Sequence, residues 1–161
     1  MILEIIKYPN KILTKKTTKV VNFDKELQSL IDNMTETMYA KKGAGLAANQ
    51  VGVSKQIALV DVGEGLNVLV NPKIISQKGK AIAFEGCLSF PDLELEIKRP
   101  RKIAVRFQDR NGRIKIIKAQ DFLARAICHE IDHLQGKTFL SRIPFLKRIK
   151  IKRQLKKNFS N

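Results

Sequence analysis

The stretch ARAICHEIDHLQGK, residues 124–137, holds the only two histidines of the 161-residue chain, with a glutamate directly after the first. Its apolar residues recur at helical spacing and Gly136 supplies a stop, so the spacing predicts a helix from near Asp121 to Leu134. At 3.6 residues per turn His129 and His133 share one face, about 6 Å apart along the axis, with Glu130 projecting beside them. Two imidazoles so placed can reach one ion. His-Glu-x-x-His inside an amphipathic helix is the pattern of a metal site rather than of two surface histidines. A catalytic site of this type takes three protein ligands and keeps one position open, so the fold must bring a third ligand to this face.

That ligand comes from upstream, because no His, Cys, Asp or Glu follows His133. The extended metallopeptidase pattern, which places a third histidine six residues after the second, fails at Phe139. Cys128 is turned about 100° around the helix from His129 and reads as a buried structural thiol. Asp132 reads as an ordinary solvent-facing or salt-bridged carboxylate. There remain Cys87, in FEGCLSFP, and the upstream carboxylates. With only two cysteines a disulfide framework is not expected, which leaves either thiol available in a reducing compartment.

Elsewhere, residues 23–40 place Leu27, Leu30, Ile31, Met34 and Met38 at helical spacing, with Asn22 or Asp24 as the cap. The runs QIALVDV, LNVLVNPKII and AIAFEGCLSF are short and β-prone, and Ile103, Val105 and Phe107 alternate toward an Asn111-Gly112 hairpin. A third, basic helix is expected to begin by Pro144. Strands joined by short turns, with helices at the ends, predict an α+β fold: antiparallel sheets packed around the His-Glu-x-x-His helix, followed by a basic C-terminal helix. At this length, and with 43% hydrophobic residues, one domain over 1–161 is expected, with about 141–161 as a basic tail. No apolar run approaches the roughly 20 residues of a membrane span, and the start MILEIIKYPNK lacks signal-peptide features, so the expected address is the cytoplasm.

Charge is distributed unevenly. Of 31 basic and 15 acidic residues, eight basic and no acidic ones lie from Arg142 onward. That tail is either a solvated end or a docking surface for nucleic acid. A purely nucleic-acid-binding module would explain the charge, but aromatic residues at 6% with no Trp offer few stacking platforms. A structural zinc protein would supply four ligands, where only three candidates converge.

Three stretches, GAGLAANQ at 43–50, EGCLS at 85–89 and HEIDH at 129–133, resemble the three motifs of the peptide deformylase family, in the same order. A weaker likeness in IIKYPNKIL, Asn71-Pro72 and RPRKIAV extends the resemblance to about residue 140. The first motif also satisfies an alanine-ended dinucleotide fingerprint, with Asp61 as a ribose partner. It follows a helix and runs into a polar turn, however, instead of joining a strand to a helix, so no nucleotide cofactor is expected.

The resemblance implies removal of formyl groups from N-formylmethionyl nascent polypeptides. It implies Cys87, His129 and His133 as ligands of one divalent ion, with Fe(2+) favoured and Zn(2+), Ni(2+) or Co(2+) also suited to a thiolate and two imidazoles. A metal-bound water would attack the formyl carbon, Glu130 would act as general base and then acid, and formate would leave. Gln50 and the backbone N–H of Leu88 would stabilise the developing oxyanion. Gly43 and Gly45 would let the substrate backbone approach closely, and Glu85 would orient ligands or fix its loop. Phe122, Arg125 and Ala126, one to two turns before His129, either line a cavity for the substrate's methionine, Arg125 through its aliphatic stem, or belong to the core. Phe90 and Asn49 depart from the family's usual residues. The basic tail implies a possible contact with ribosomal RNA, and no membrane partner is expected.

Overall fold

The computed structural model describes residues 1–159; Ser160 and Asn161, the last positions of the expected tail, lie outside the described residues. Helix α1 (Lys25–Ala40) begins at Asp24, whose carboxylate accepts the Leu27 N–H at 2.9 Å, so Asp24 and not Asn22 is the cap. The strands are β1 (Gly45–Ala47), β2 (Ile57–Val60), β3 (Asn67–Lys78), β4 (Ala81–Cys87), β5 (Phe90–Arg99), β6 (Lys102–Gln108) and β7 (Ile114–Gln120). Helices α2 (Asp121–Leu134) and α3 (Phe145–Phe159) complete the chain. The architecture is α+β with antiparallel sheets, as expected.

One sheet has the order β1-β2-β3-β6-β7, and β4 and β5 form a separate two-stranded sheet. The Asn111-Gly112 signal marks the β6–β7 connection, which is longer than a two-residue turn. Asp109 accepts from the N–H groups of Asn111 and Arg113, and Gly112 takes a positive φ of 85°. Strand β5 was not legible as a strand of its own. In it Leu95, Ile97 and Arg99 point inward while Glu94, Glu96 and Lys98 point out.

Two helices use opposite faces of the large sheet. Leu46, Ile57, Leu59 and Val70 pack with Leu27, Ile31, Met34 and Met38 of α1. The alternate residues Ala47, Ala58, Val60 and Leu69, with Ile103, Val105 and Ala119, pack against α2. From Ala124 to Leu134 every residue of α2 is buried, and the helix stops where sequence predicts: Gly136 takes φ of 72° and Lys137 N–H closes on the Asp132 carbonyl at 2.9 Å. A side chain at Gly136 would meet the backbone of Thr14 and Lys15 at 2.7 Å.

Helix α3 follows Pro144 and is anchored by Ile151, which joins Phe90, Leu95, Ile97, Phe139, Leu140 and Ile143 in a third cluster. Phe90 stacks on Tyr8 with ring centroids 5.0 Å apart and lies 5.2 Å from Phe139, so the larger side chain fills the volume beneath α3. Among the described residues no helix is long and apolar enough to cross a membrane.

Candidate metal and active site

Helix α2 and the β4–β5 hairpin meet at the site. Cys87 ends β4, where the ladder shifts register between Glu85 and Cys87, and its Sγ lies 3.3 Å from His133 Nε2. His133 Nε2 lies 3.2 Å from His129 Nε2, and the three donor atoms all fall within 4.8 Å of one another. A tetrahedral ion with bonds of about 2.0–2.3 Å would hold its donors roughly 3.3–3.6 Å apart. The donor set therefore fits one ion, and two buried imidazoles and a half-buried thiol aimed at a common point have few other uses. Cys128 lies in the core cluster that joins α2 to the large sheet, outside the converging donor group, its thiol pushed up to about 11 by burial.

The remaining atoms of the ligands are fixed by the protein. Glu85 Oε1 lies 2.8 Å from His129 Nδ1, which sets the tautomer that frees Nε2. Both Glu85 oxygens are already taken, by His129, by Nε and Nη2 of Arg99 at 2.9 Å, and by Nη1 of Arg125 at 2.8 Å. Glu85 thus orients His129 and has no oxygen left for a substrate. Burial opposes its charge, yet Arg99 and His129 hold its carboxyl down at about 2. For His129 burial again opposes charge, and the Cys87 and Glu85 contacts overcome it, so they favour a proton on the ring, whose place at Nε2 an ion would take. Asn49 donates to the His133 carbonyl at 2.7 Å, pinning the last turn of α2 to the 3-10 turn Ala48–Val51.

Asp132 is salt-bridged, one of the two alternatives the sequence left, and it is buried instead of solvent-facing, only 5% exposed. It accepts from Arg99 Nη1 at 2.5 Å and from Arg142 at 2.6 and 2.9 Å. Arg99 and Arg142 are the structural residues that sequence reasoning missed. A signal for Arg99 existed, since it continues the inward parity of Leu95 and Ile97.

Glu130 is 5% exposed, and its Oε2 has no hydrogen-bond partner among the described residues. Burial raises its carboxyl to about 7. Gly45 explains how it fits: a Cβ there would stand 2.9 Å from Glu130 Cγ and Cδ, and closer still to Oε1. A Cβ at Gly43 would lie 2.9 Å from Leu88 Cδ1. Both glycines make room for the protein's own side chains, and both also line the cavity, where close approach of a substrate backbone is expected. The motif also contains β1, whose three residues pair with β2.

Gln50 accepts the Ala47 N–H at 2.9 Å through Oε1, which aims its Nε2 at Ser89 Oγ (3.2 Å) and Cys87 Sγ (3.6 Å). A cavity of about 850 Å³ opens on this centre, and Gly43, Gly45, Leu88, Phe122, Arg125 and Ala126 are among the residues lining it. The Arg125 guanidinium is tied back to the carbonyls of Ala81 and Ile97 at 2.9 and 2.8 Å, so its stem is what faces the cavity. Phe122 is 57% exposed, at the rim, whereas Ala126 is buried.

Fold and site together define a class: an α+β protein in which a buried helix presents His-Glu-x-x-His to a cysteine from a separate hairpin, beneath an open cavity. Comparison with known proteins narrows the class. The family model described as polypeptide deformylase matches residues 2–149. Peptide deformylase 1 of Bacillus cereus is 50% identical over 144 residues, 88% of this chain and 92% of that protein. The peptide deformylase of Caldanaerobacter subterraneus is 46% identical over 139 residues, 86% and 87% of the two chains. Among solved structures, a peptide deformylase from Legionella pneumophila superposes with a TM-score of 0.92 at 38% identity, covering 99% of this chain and 96% of that one. The enzyme from Ehrlichia chaffeensis in complex with actinonin gives 0.92 at 41% identity, covering 98% and 97%. The chain belongs to the polypeptide deformylase family, enzymes that remove the N-formyl group from nascent peptides.

Proposed function

We propose that this protein removes the formyl group from the N-terminal methionine of newly made polypeptides, releasing formate and a free amino terminus. The observation that carries the reading is the convergence of Cys87, His129 and His133 beside a buried, unpartnered Glu130 under an open cavity. Residues 1–161 act as one catalytic unit with the C-terminal helix appended, and the expected address is the cytoplasm.

Cys87, His129 and His133 would hold one divalent ion, Fe(2+) in preference to Zn(2+), Ni(2+) or Co(2+). When bound, it supplies Lewis acidity that makes water a nucleophile at neutral pH and polarises the formyl oxygen. Glu130 takes the proton from the attacking water and returns one to the departing amine; burial keeps its basicity close to what transfer in both directions at neutral pH requires. The Gln50 amide, held by Ala47 N–H, and the Leu88 N–H face the charge that grows on the formyl oxygen. Phe122, Ala126 and the Arg125 stem receive the methionine side chain.

The test is formate release from a formyl-Met-Ala-Ser peptide by protein loaded with Fe(2+), Ni(2+) or Zn(2+), set against protein stripped by chelator. Turnover unchanged by stripping would sink the metal assignment. Failure of every loaded form would sink the activity.

Helix α3 brings this catalyst near its substrate if its cations contact ribosomal RNA. Its exposed face carries Lys147, Lys150, Lys152 and Arg153, while Ile151 is buried in the domain. Arg148 donates to the carbonyls of Leu140 and Ile143, at 2.9 and 3.2 Å. Truncation from 147 would damage that packing, so the suitable test replaces Lys150, Lys152 and Arg153 with Gln. The expected result is weaker ribosome co-sedimentation with unchanged turnover of a free peptide. Undiminished binding at every salt concentration would reduce the helix to a solvated end.

A further inference from the structure

Helix α1 covers only part of its side of the large sheet. Beyond Val70 the same face continues over the second half of β3 and over β6 and β7 with no element packed on it. The register puts three rows of side chains there: Lys73–Arg106–Ile116, Ser76–Ala104–Lys118 and Lys78–Lys102–Gln120. All five cations are exposed, the rows contain no acid, and none of the five takes part in an ion pair among the described residues. Nearby cations off this face are neutralised differently: Arg101 pairs with Asp121, Arg110 with Asp32 and Lys115 with Asp109.

The pairing is unfavourable as it stands. Lys73 stands directly opposite Arg106, and Lys78 directly opposite Lys102, in antiparallel register. Like charges so placed, with Cβ atoms about 5 Å apart, destabilise a sheet. Arg106 and Lys102 lie four residues apart on β6, about 13 Å at 3.3 Å per residue, so the two repelling pairs form two bands across one rigid face. A partner bearing regularly spaced anions relieves both repulsions at once, and releasing its condensed counterions adds a driving force that salt weakens.

We propose that this uncovered face of β3, β6 and β7 is a docking surface for the phosphate backbone of double-stranded RNA, separate from α3 and independent of base sequence. The choice of RNA over DNA rests on the proposed reaction, whose substrate is handed over by an RNA-rich particle; the charge complementarity does not depend on it.

The full chain is titrated with a 20-base-pair RNA duplex of arbitrary sequence, followed by fluorescence anisotropy between 25 and 200 mM salt. Against wild type stand Lys78→Gln/Lys102→Gln/Lys118→Gln and, as a second variant, Lys78→Glu. The triple variant should bind at least tenfold more weakly at about 50 mM salt and lose about 0.9 of slope in log K against log salt for each phosphate contact removed. Lys78→Glu replaces a repelling pair by an opposite-charge pair, so its thermal midpoint at low salt should rise while its RNA affinity falls. Formate release from a short free peptide should be unchanged in both, which keeps failure of the catalytic reading distinct from failure of this one. Absence of RNA binding by wild type at 25 mM salt would overturn the proposal, as would triple-variant affinity and slope equal to wild type. Retained RNA binding with loss of binding to vesicles containing 30% phosphatidylserine would assign the face to a lipid surface instead.

Discussion

Nδ1 of His129 and Oε1 of Glu85 lie 2.8 Å apart, and this contact joins helix α2 to the strand that ends in Cys87. The same carboxylate is gripped by Arg99 and Arg125, so the orientation of one ligand depends on a buried set of charges spanning both halves of the site.

Glu85→Ala should therefore lower metal affinity by about 10–100-fold without removing a ligand, the usual scale for a group that orients a ligating histidine. Glu85→Gln, which keeps an acceptor for His129 Nδ1, should recover part of that loss. Competition against a chelator of known affinity checks both. Equal affinities for wild type and Glu85→Ala would remove Glu85 from the metal's support.

Glu130 separates binding from chemistry. It is beside the donor atoms but not among those that converge, so Glu130→Gln should keep the ion while formate release falls by about 10²–10⁴. Metal content by elemental analysis, measured on the same sample as the rate, decides the matter. Loss of the ion, with a normal rate after reconstitution, would make Glu130 structural.

The features most legible from sequence were those carried by local periodicity. The α2 boundaries followed from apolar spacing and Gly136, and the two histidines from their spacing on that helix; exclusion narrowed the third ligand to Cys87 or an upstream carboxylate, and the choice of Cys87 rested on the family resemblance. What escaped was set by tertiary pairing. Strand β1 is built from Gly45, Leu46 and Ala47, residues with little β preference, and exists because β2 lies beside it. Arg99 sits in the basic stretch KRPRK, which reads as solvated surface; only its inward parity on β5 and the carboxylates waiting in the interior make it a buried hub. The burial of Asp132 escaped for the same reason: Arg142 is ten residues away, but Arg99 is 33 residues away and reaches Asp132 only through the fold.

Gly45→Ala tests the packing behind the proposed base. The added methyl group would overlap the Glu130 side chain, which would have to turn away from β1 toward the cavity it lines. Turnover should fall by about 10²-fold, with metal content preserved, because a displacement of about 1 Å in a catalytic group has effects of that size. Unchanged turnover would mean that Glu130 can shift without cost.

Arg99 is 3% exposed and bridges Glu85 to Asp132. Replacing it with methionine leaves two buried carboxylates short of a partner, though Arg125 and Arg142 still reach them. Arg99→Met should destabilise the protein by about 3 kcal/mol at pH 7, the lower end of what breaking a buried ion pair costs. The pH dependence carries the distinguishing sign. Burial disfavours both charged carboxylates, but their arginine partners outweigh it, Glu85 being held at about 2 and Asp132 below its ordinary value. Their ionised forms thus stabilise the fold fully above the ordinary carboxylate range, and that contribution is lost as pH falls from about 4.5 toward about 2. The variant has less of it to lose, so the gap between wild type and Arg99→Met should narrow steadily on acidification. Urea unfolding of both proteins at intervals between pH 7 and pH 3 measures the gap, and a constant difference across that range would show that Arg99 acts through packing alone.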